Sequence, residues 1–174
     1  MKTKLMPSIV LASICLIAAL LLAACNLITA PEIEKRQEAE AYASLLEVLP
    51  NGLGFEKLDL EGAGLDSTIA MAYAATKSGG YVFQIKTAGK NSGMIIMIGV
   101  DADGKISGTK CTENQETPSY ASPVFSVTES GHYVGQDSSS FSPYIVTGST
   151  MTSEAYSNAV KAALDAASIL KGGN

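Results

Sequence analysis

From Leu5 to Ala30 the chain carries no charged residue, while Lys2 and Lys4 precede the run and Pro31-Glu32-Ile33-Glu34-Lys35-Arg36 follow it. That run exceeds the ~20 residues a helix needs to cross the hydrocarbon of a bilayer. It predicts a membrane anchor over residues 1–30. Basic residues at the short N-terminal end predict a single pass of the cell membrane, with the C-terminal domain outside the cytoplasm. Lys35 and Arg36 stand among Glu32, Glu34 and Glu38 and do not reverse that orientation. A second reading of the same segment is a lipoprotein signal, because Leu22-Ala23-Ala24-Cys25 has the form that places a lipid anchor on Cys25. Against it, the apolar run outlasts the ~7 to 15 residues of a signal core, and Leu27-Ile28 continue it beyond Cys25. Either way the chain is tethered to a membrane.

The remainder of the 174 residues suffices for one domain with a real core. Its net charge of −5 and the lack of a basic cluster argue against nucleic acid as a partner. Cys111 is the one thiol beyond the anchor, so no disulfide within the domain and no cysteine-rich metal site is expected. His132 is the sole histidine, which excludes an imidazole cluster. No metal site and no catalytic acid or base is predicted.

Residues 31–50 read as a helical stalk, with Ala39, Tyr42, Leu45, Leu46 and Leu49 near helical spacing until Pro50-Asn51-Gly52 stops them. The domain proper is expected over 51–174. Phe55 to Gly64 reads as loop or edge strand. Ser67 to Thr76, Tyr81 to Lys86 and Gly93 to Val100 follow as strand candidates, the last of them buried. Asp101-Ala102-Asp103-Gly104 supplies a turn into Lys105 to Cys111, giving an antiparallel meander. The acids of that turn lack the third spaced acid and the later Glu of an EF-hand loop, so the hairpin reading prevails. Thr112 to Pro143 is polar, turn-rich and expected to be irregular. Tyr120, Phe125 and Tyr133 lie in or near it and are candidates either to stack on a flat ring or to cover the sheet. The fold class is therefore α+β: a transmembrane helix and stalk, then an antiparallel meander closed by a C-terminal helix.

That last helix is expected from Glu154 to Leu170, with Tyr156, Val160, Ala163, Leu164, Ala167 and Leu170 at helical spacing. Before it stands Thr147-Gly148-Ser149-Thr150-Met151-Thr152-Ser153, five hydroxyls around one glycine. A helix N-terminus of this kind favours an anion such as a phosphate. The plainer reading is that Thr152 or Ser153 is an N-cap.

Taken in order, the anchor running into Leu27-Ile28-Thr29-Ala30-Pro31-Glu32-Ile33, Ala72-Tyr73-Ala74, Gly79-Gly80-Tyr81-Val82-Phe83, Ile98 to Ile106, Glu116-Thr117-Pro118 and the hydroxyl-rich Thr147 to Ser153 are distinctive. In these segments the chain resembles the FMN-binding domain family, and within it the G subunits of Rnf-type ion-translocating electron-transport complexes. The resemblance implies FMN held covalently by a phosphoester on the last Thr of a Ser/Thr-Gly-Ala-Thr motif, here Thr150, attached by a separate flavin transferase. It implies that Thr147, Gly148, Ser149, Thr152, Ser153, Glu116 and Thr117 contribute to the FMN site. It also implies other membrane subunits of such a complex as partners, and a redox subunit of a translocating oxidoreductase rather than an enzyme on its own. The chain departs from the family pattern at three places: Ser149 stands for Ala, Tyr144 for an Asp, and Ser119-Tyr120-Ala121 for Gly-Leu-Gly. Two further readings are a stand-alone flavinylated protein of an extracytoplasmic electron-transfer chain, and an anchored structural or partner-binding module without flavin.

Overall fold

A computed structural model describes residues 11, 14–22, 41–60 and 62–172. Residues 14–22 are helical, and among the described residues no helix is long and apolar enough to cross a membrane. Most of the expected anchor, the Ala23 to Cys25 part of the lipidation motif and residues 31–40 of the expected stalk lie outside the described residues. The chain divides into two units, Met1–Ala41 and Tyr42–Asn174.

Helix α1 (residues 41–48), of which 42–48 belong to the second unit, leads there into five strands: β1 (Phe55–Lys57), β2 (Ile69–Ala75), β3 (Tyr81–Thr87), β4 (Met94–Val100) and β5 (Ile106–Glu113). They pair antiparallel in the order β1-β2-β3-β4-β5, the meander expected from sequence. Period-two alternation sorts β3 and β4 between two faces. Phe83, Ile85, Met94, Ile96, Ile98 and Val100 enter the larger core, while Val82 and Met97 enter the smaller one. Both faces of β4 are covered, which is why its sequence is apolar almost throughout.

The smaller core is closed by Leu45, Val48 and Leu49, all buried against Ala75, Val82 and Met97. The end of α1 lies so close to the sheet that Gly99 and Gly108, partners in register across β4 and β5, leave the space for the Val48 backbone. A Cβ on Gly99 would collide with the Val48 carbonyl. Ser107 Oγ donates to that carbonyl at 2.6 Å. Residues 42–49 are thus an integral layer of this unit.

The larger core is closed by α3 (Thr150–Gly172), which buries Tyr156, Val160, Ala163, Leu164 and Ala167, with Leu170 partly buried. Between β5 and α3 the structure corrects the expectation of an irregular stretch. Pro118–Val127 form helix α2, followed by a π-helical turn over Thr128–His132. Pro118 sits at the start of α2, where its missing N–H costs no hydrogen bond. Pro123 inside the helix obscured the signal, since proline normally reads as a break. Buried Ala121 and Val124 hold α2 to the core despite it.

Candidate functional site

The N-terminal end of α3 is where the meander, the β3–β4 loop and α2 converge. Val146 to Ser149 form a turn in which the Ser149 N–H donates to the Val146 carbonyl at 2.9 Å. Gly148 takes φ 85° there, the left-handed conformation that the third residue of a type II turn requires. Helix α3 then begins at Thr150, earlier than the expected Glu154. Thr152 and Ser153 therefore do not cap it from outside; they lie in its first turn and are buried. Ser153 Oγ donates to the Ser149 carbonyl at 2.8 Å and accepts from the Val146 N–H at 3.1 Å, closing the turn onto the helix.

Glu116 is the organising side chain. Although 6% exposed, its carboxylate accepts from Thr152 Oγ1 at 2.9 Å and from the Asn91 N–H at 2.7 Å. Asn91 Nδ2 donates in turn to the Gln115 carbonyl at 2.7 Å. Buried carboxylates persist when donors satisfy them, and these donors come from two segments remote in sequence. The β3–β4 loop and the first turn of α3 are thereby held to the same oxygen pair. Gly89 fits between them: a Cβ there would lie 2.9 Å from Glu116 Oε1 and 3.0 Å from Thr152 Cα.

Beside this clamp opens a pocket of about 360 Å³ lined by Lys90, Tyr120, Gly148, Ser149, Thr150, Met151 and Thr152. Its size is within the range of small-ligand sites. Thr150 is exposed at its mouth, in the first turn of a long helix whose leading amides lack intrahelical acceptors. Lys90 Nζ stands 5.2 Å from the centre of the Tyr120 ring. The wall so combines a free hydroxyl, helix amides, one ammonium and one aromatic face.

Of the residues expected to form the site, Thr150, Gly148, Ser149 and Thr152 line this pocket, and Glu116 touches it through Thr152. Thr117, exposed at the N-cap of α2, and Thr147, exposed in the turn, lie outside the lining, and Ser153 is engaged beneath it. Of the three aromatic candidates only Tyr120 faces the pocket. Tyr133 is fully buried, with its phenol 2.7 Å from Ser157 Oγ, and Phe125 packs on Tyr156 at 6.1 Å, so both cover the sheet. Tyr144, where the resemblance led to the expectation of an Asp, packs on the His132 ring at 4.6 Å and also stands outside the lining. Sequence reasoning missed Lys90, Asn91 and Gly89. Their only signal is a polar loop between two strong strands, where binding residues concentrate.

Cys111 is no competing reactive site. Burial and the nearby Glu129 carboxylate push its thiol up to about 11, so it is protonated at neutral pH. Among the described residues no cluster of acids, cysteines or histidine could hold a metal ion.

A single antiparallel sheet is backed by a helix whose N-terminus opens on a pocket with one base and one ring, groups that suit a flat, anionic ligand. Residues 89–165 match the family model of the FMN-binding domain. The matched segment begins at Gly89 and includes every residue lining the pocket, together with Glu116. It supports FMN as the ligand and electron carrying as the role. No curated protein matches the chain. The pocket residues fit that ligand chemically, since a phosphate suits the helix amides and Lys90, and an isoalloxazine ring suits Tyr120.

Proposed function

We propose that this chain is a membrane-anchored flavoprotein electron carrier, with FMN joined to Thr150 through a phosphoester, serving as a subunit of an Rnf-type ion-translocating electron-transport complex. The observation that carries the attachment is the exposure of Thr150 at the pocket mouth, while Thr152 and Ser153 already hold hydroxyl partners inside the fold. Thr150 is the motif threonine that both lines the pocket and, among the described residues, holds no hydrogen bond through its hydroxyl, whereas the exposed Thr147 stands outside the lining. The donor in the reaction is FMN activated as a phosphoanhydride, a flavin dinucleotide, bound by the transferase. A bond forms between Thr150 Oγ1 and the FMN phosphorus, the anhydride P–O bond breaks, and the hydroxyl proton leaves with the departing nucleoside monophosphate, so the product is heavier by one FMN less one water.

FMN supplies transfer of electrons singly or in pairs when bound. The protein's own residues place it. Helix amides at the start of α3 would hold the phosphate, and the Glu116 clamp keeps the β3–β4 loop against the first turn of that helix. A covalent tether suits a site outside the cytoplasm, because the cofactor is not lost to dilution and stays at high local concentration beside its partners. The uncharged Leu5 to Ala30 run supports the membrane location, and the family resemblance supports both the flavin transferase and the partner subunits.

The test is intact mass together with in-gel flavin fluorescence after denaturation, on the full chain expressed with a flavin transferase. Wild type is expected to carry a fluorescent, FMN-sized adduct that Thr150→Val loses completely. An unmodified mass in both proteins would sink covalent attachment.

A further inference from the structure

The pocket contains one feature that the hydroxyl motif does not explain. Lys90 is the only base among its described lining residues, and its ammonium lies over Tyr120. Lys90 projects from a loop that is not free to drift, since the next residue is fixed by its N–H to Glu116 and by its side chain to Gln115. Tyr120 projects from the first turn of α2, itself directly after the Glu116-Thr117 segment. Both side chains are thus aimed at the first turn of α3 from scaffolds tied to the same glutamate.

We propose that Lys90 and Tyr120 divide recognition of the flavin between them, Lys90 as counter-charge to the phosphate and Tyr120 as the face on which the isoalloxazine ring lies. The pair makes the site selective for a phosphorylated flavin over riboflavin. The electrostatic case is direct. The chain carries a net charge of −5, and the Glu116 carboxylate stands behind the pocket wall, so an arriving phosphate meets negative charge from the protein. Helix amides offset part of that repulsion, and a mobile ammonium at the mouth offsets the rest. A cation resting on an aromatic face at an exposed site is held only weakly, so Lys90 can leave Tyr120 for a phosphate at small cost. Its departure uncovers the ring face when the flavin needs it.

This inference rests on the flavin reading, and the experiment separates the two. Full chain made without a flavin transferase is titrated with FMN and with riboflavin, following flavin fluorescence, for wild type, Lys90→Gln and Tyr120→Leu. The expectation is ~10-fold tighter binding of FMN than riboflavin by wild type, and loss of that ratio in Lys90→Gln with riboflavin binding unchanged. Tyr120→Leu should weaken both flavins alike and leave bound flavin brighter, because the stacked phenol no longer quenches it. A ratio preserved in Lys90→Gln, or equal affinities in Tyr120→Leu and wild type, overturns the division of roles. If wild type binds neither flavin yet Thr150 is flavinylated by a transferase, the pair contributes nothing and this inference alone fails. If wild type neither binds flavin nor becomes modified, the flavin reading fails and takes the inference with it.

Discussion

Acidic side chains organise two kinds of region in this molecule, and they do so by opposite means. At the 101–105 turn, Asp101 Oδ1 accepts from the N–H groups of Asp103 and Lys105, both at 2.9 Å. At the 137–140 turn, Asp137 Oδ1 accepts from the N–H and the hydroxyl of Ser139 and of Ser140. These acids stabilise their own immediate neighbours. Glu116 instead reaches Asn91 and Thr152, separated from it by 25 and 36 positions. A turn acid shapes a loop, whereas Glu116 assembles a site. Removing the first kind should therefore cost locally, and removing the second should open the pocket.

The largest effect on the fold is expected from Glu116→Ala. It leaves a buried hydroxyl and a backbone N–H without their acceptor, which costs about 2–3 kcal/mol. Urea denaturation should show that loss, and flavinylation yield at Thr150 should fall with it. Retained yield in a destabilised protein would mean that the clamp serves stability alone. Gly89→Ala presses the same junction from the other side, since its Cβ meets a carboxylate oxygen and the Thr152 backbone. Overpacking of this kind costs about 1–3 kcal/mol, measurable by the same denaturation, and a neutral result would show that the β3–β4 loop can yield.

Asp137 should give the smallest effect, visible only in acid. Hydrogen bonds from Ser139 and Ser140 hold its carboxyl well below the ordinary carboxylate range. A lowered folded value means that the contribution is present above the unfolded value near 4 and is lost as pH falls below it. Thermal melts of wild type and Asp137→Asn should accordingly differ at neutral pH and converge as the solution is acidified. A gap that persists into acid would show that the turn does not depend on this charge. Asp137→Asn should leave flavin loading untouched, in contrast to Glu116→Ala.

The same division between near and far explains what could be read without the fold. The strands announced themselves because alternation in Tyr81-Val82-Phe83-Gln84-Ile85 and the apolar Met94 to Val100 follow from the two faces of a pleated strand. Asp101-Ala102-Asp103-Gly104 read as a turn because its carboxylate bonds lie within four residues of one another. Helix α2 escaped because its stability comes from burying Ala121 and Val124 against distant segments, while Pro123 argues locally against a helix. The paired Gly99 and Gly108 carry no meaning until α1 is laid across them. Thr152 and Ser153 could be counted as hydroxyls near a helix start, but only the packed structure shows that these two are consumed by Glu116 and the Ser149 carbonyl while Thr150 lines the pocket.

The sequence by itself determined the meander, the long amphipathic C-terminal helix, the apolar N-terminal run and the hydroxyl motif with Thr150 in it, because each is written in residues a few positions apart. Tertiary structure alone decided that Lys90 and Tyr120 share a pocket with Thr150, and that Glu116 binds the loop to the helix. The physical reason is that hydrogen bonds and charge contacts across 25 to 36 residues depend on where folding brings the backbone, which no local spacing encodes.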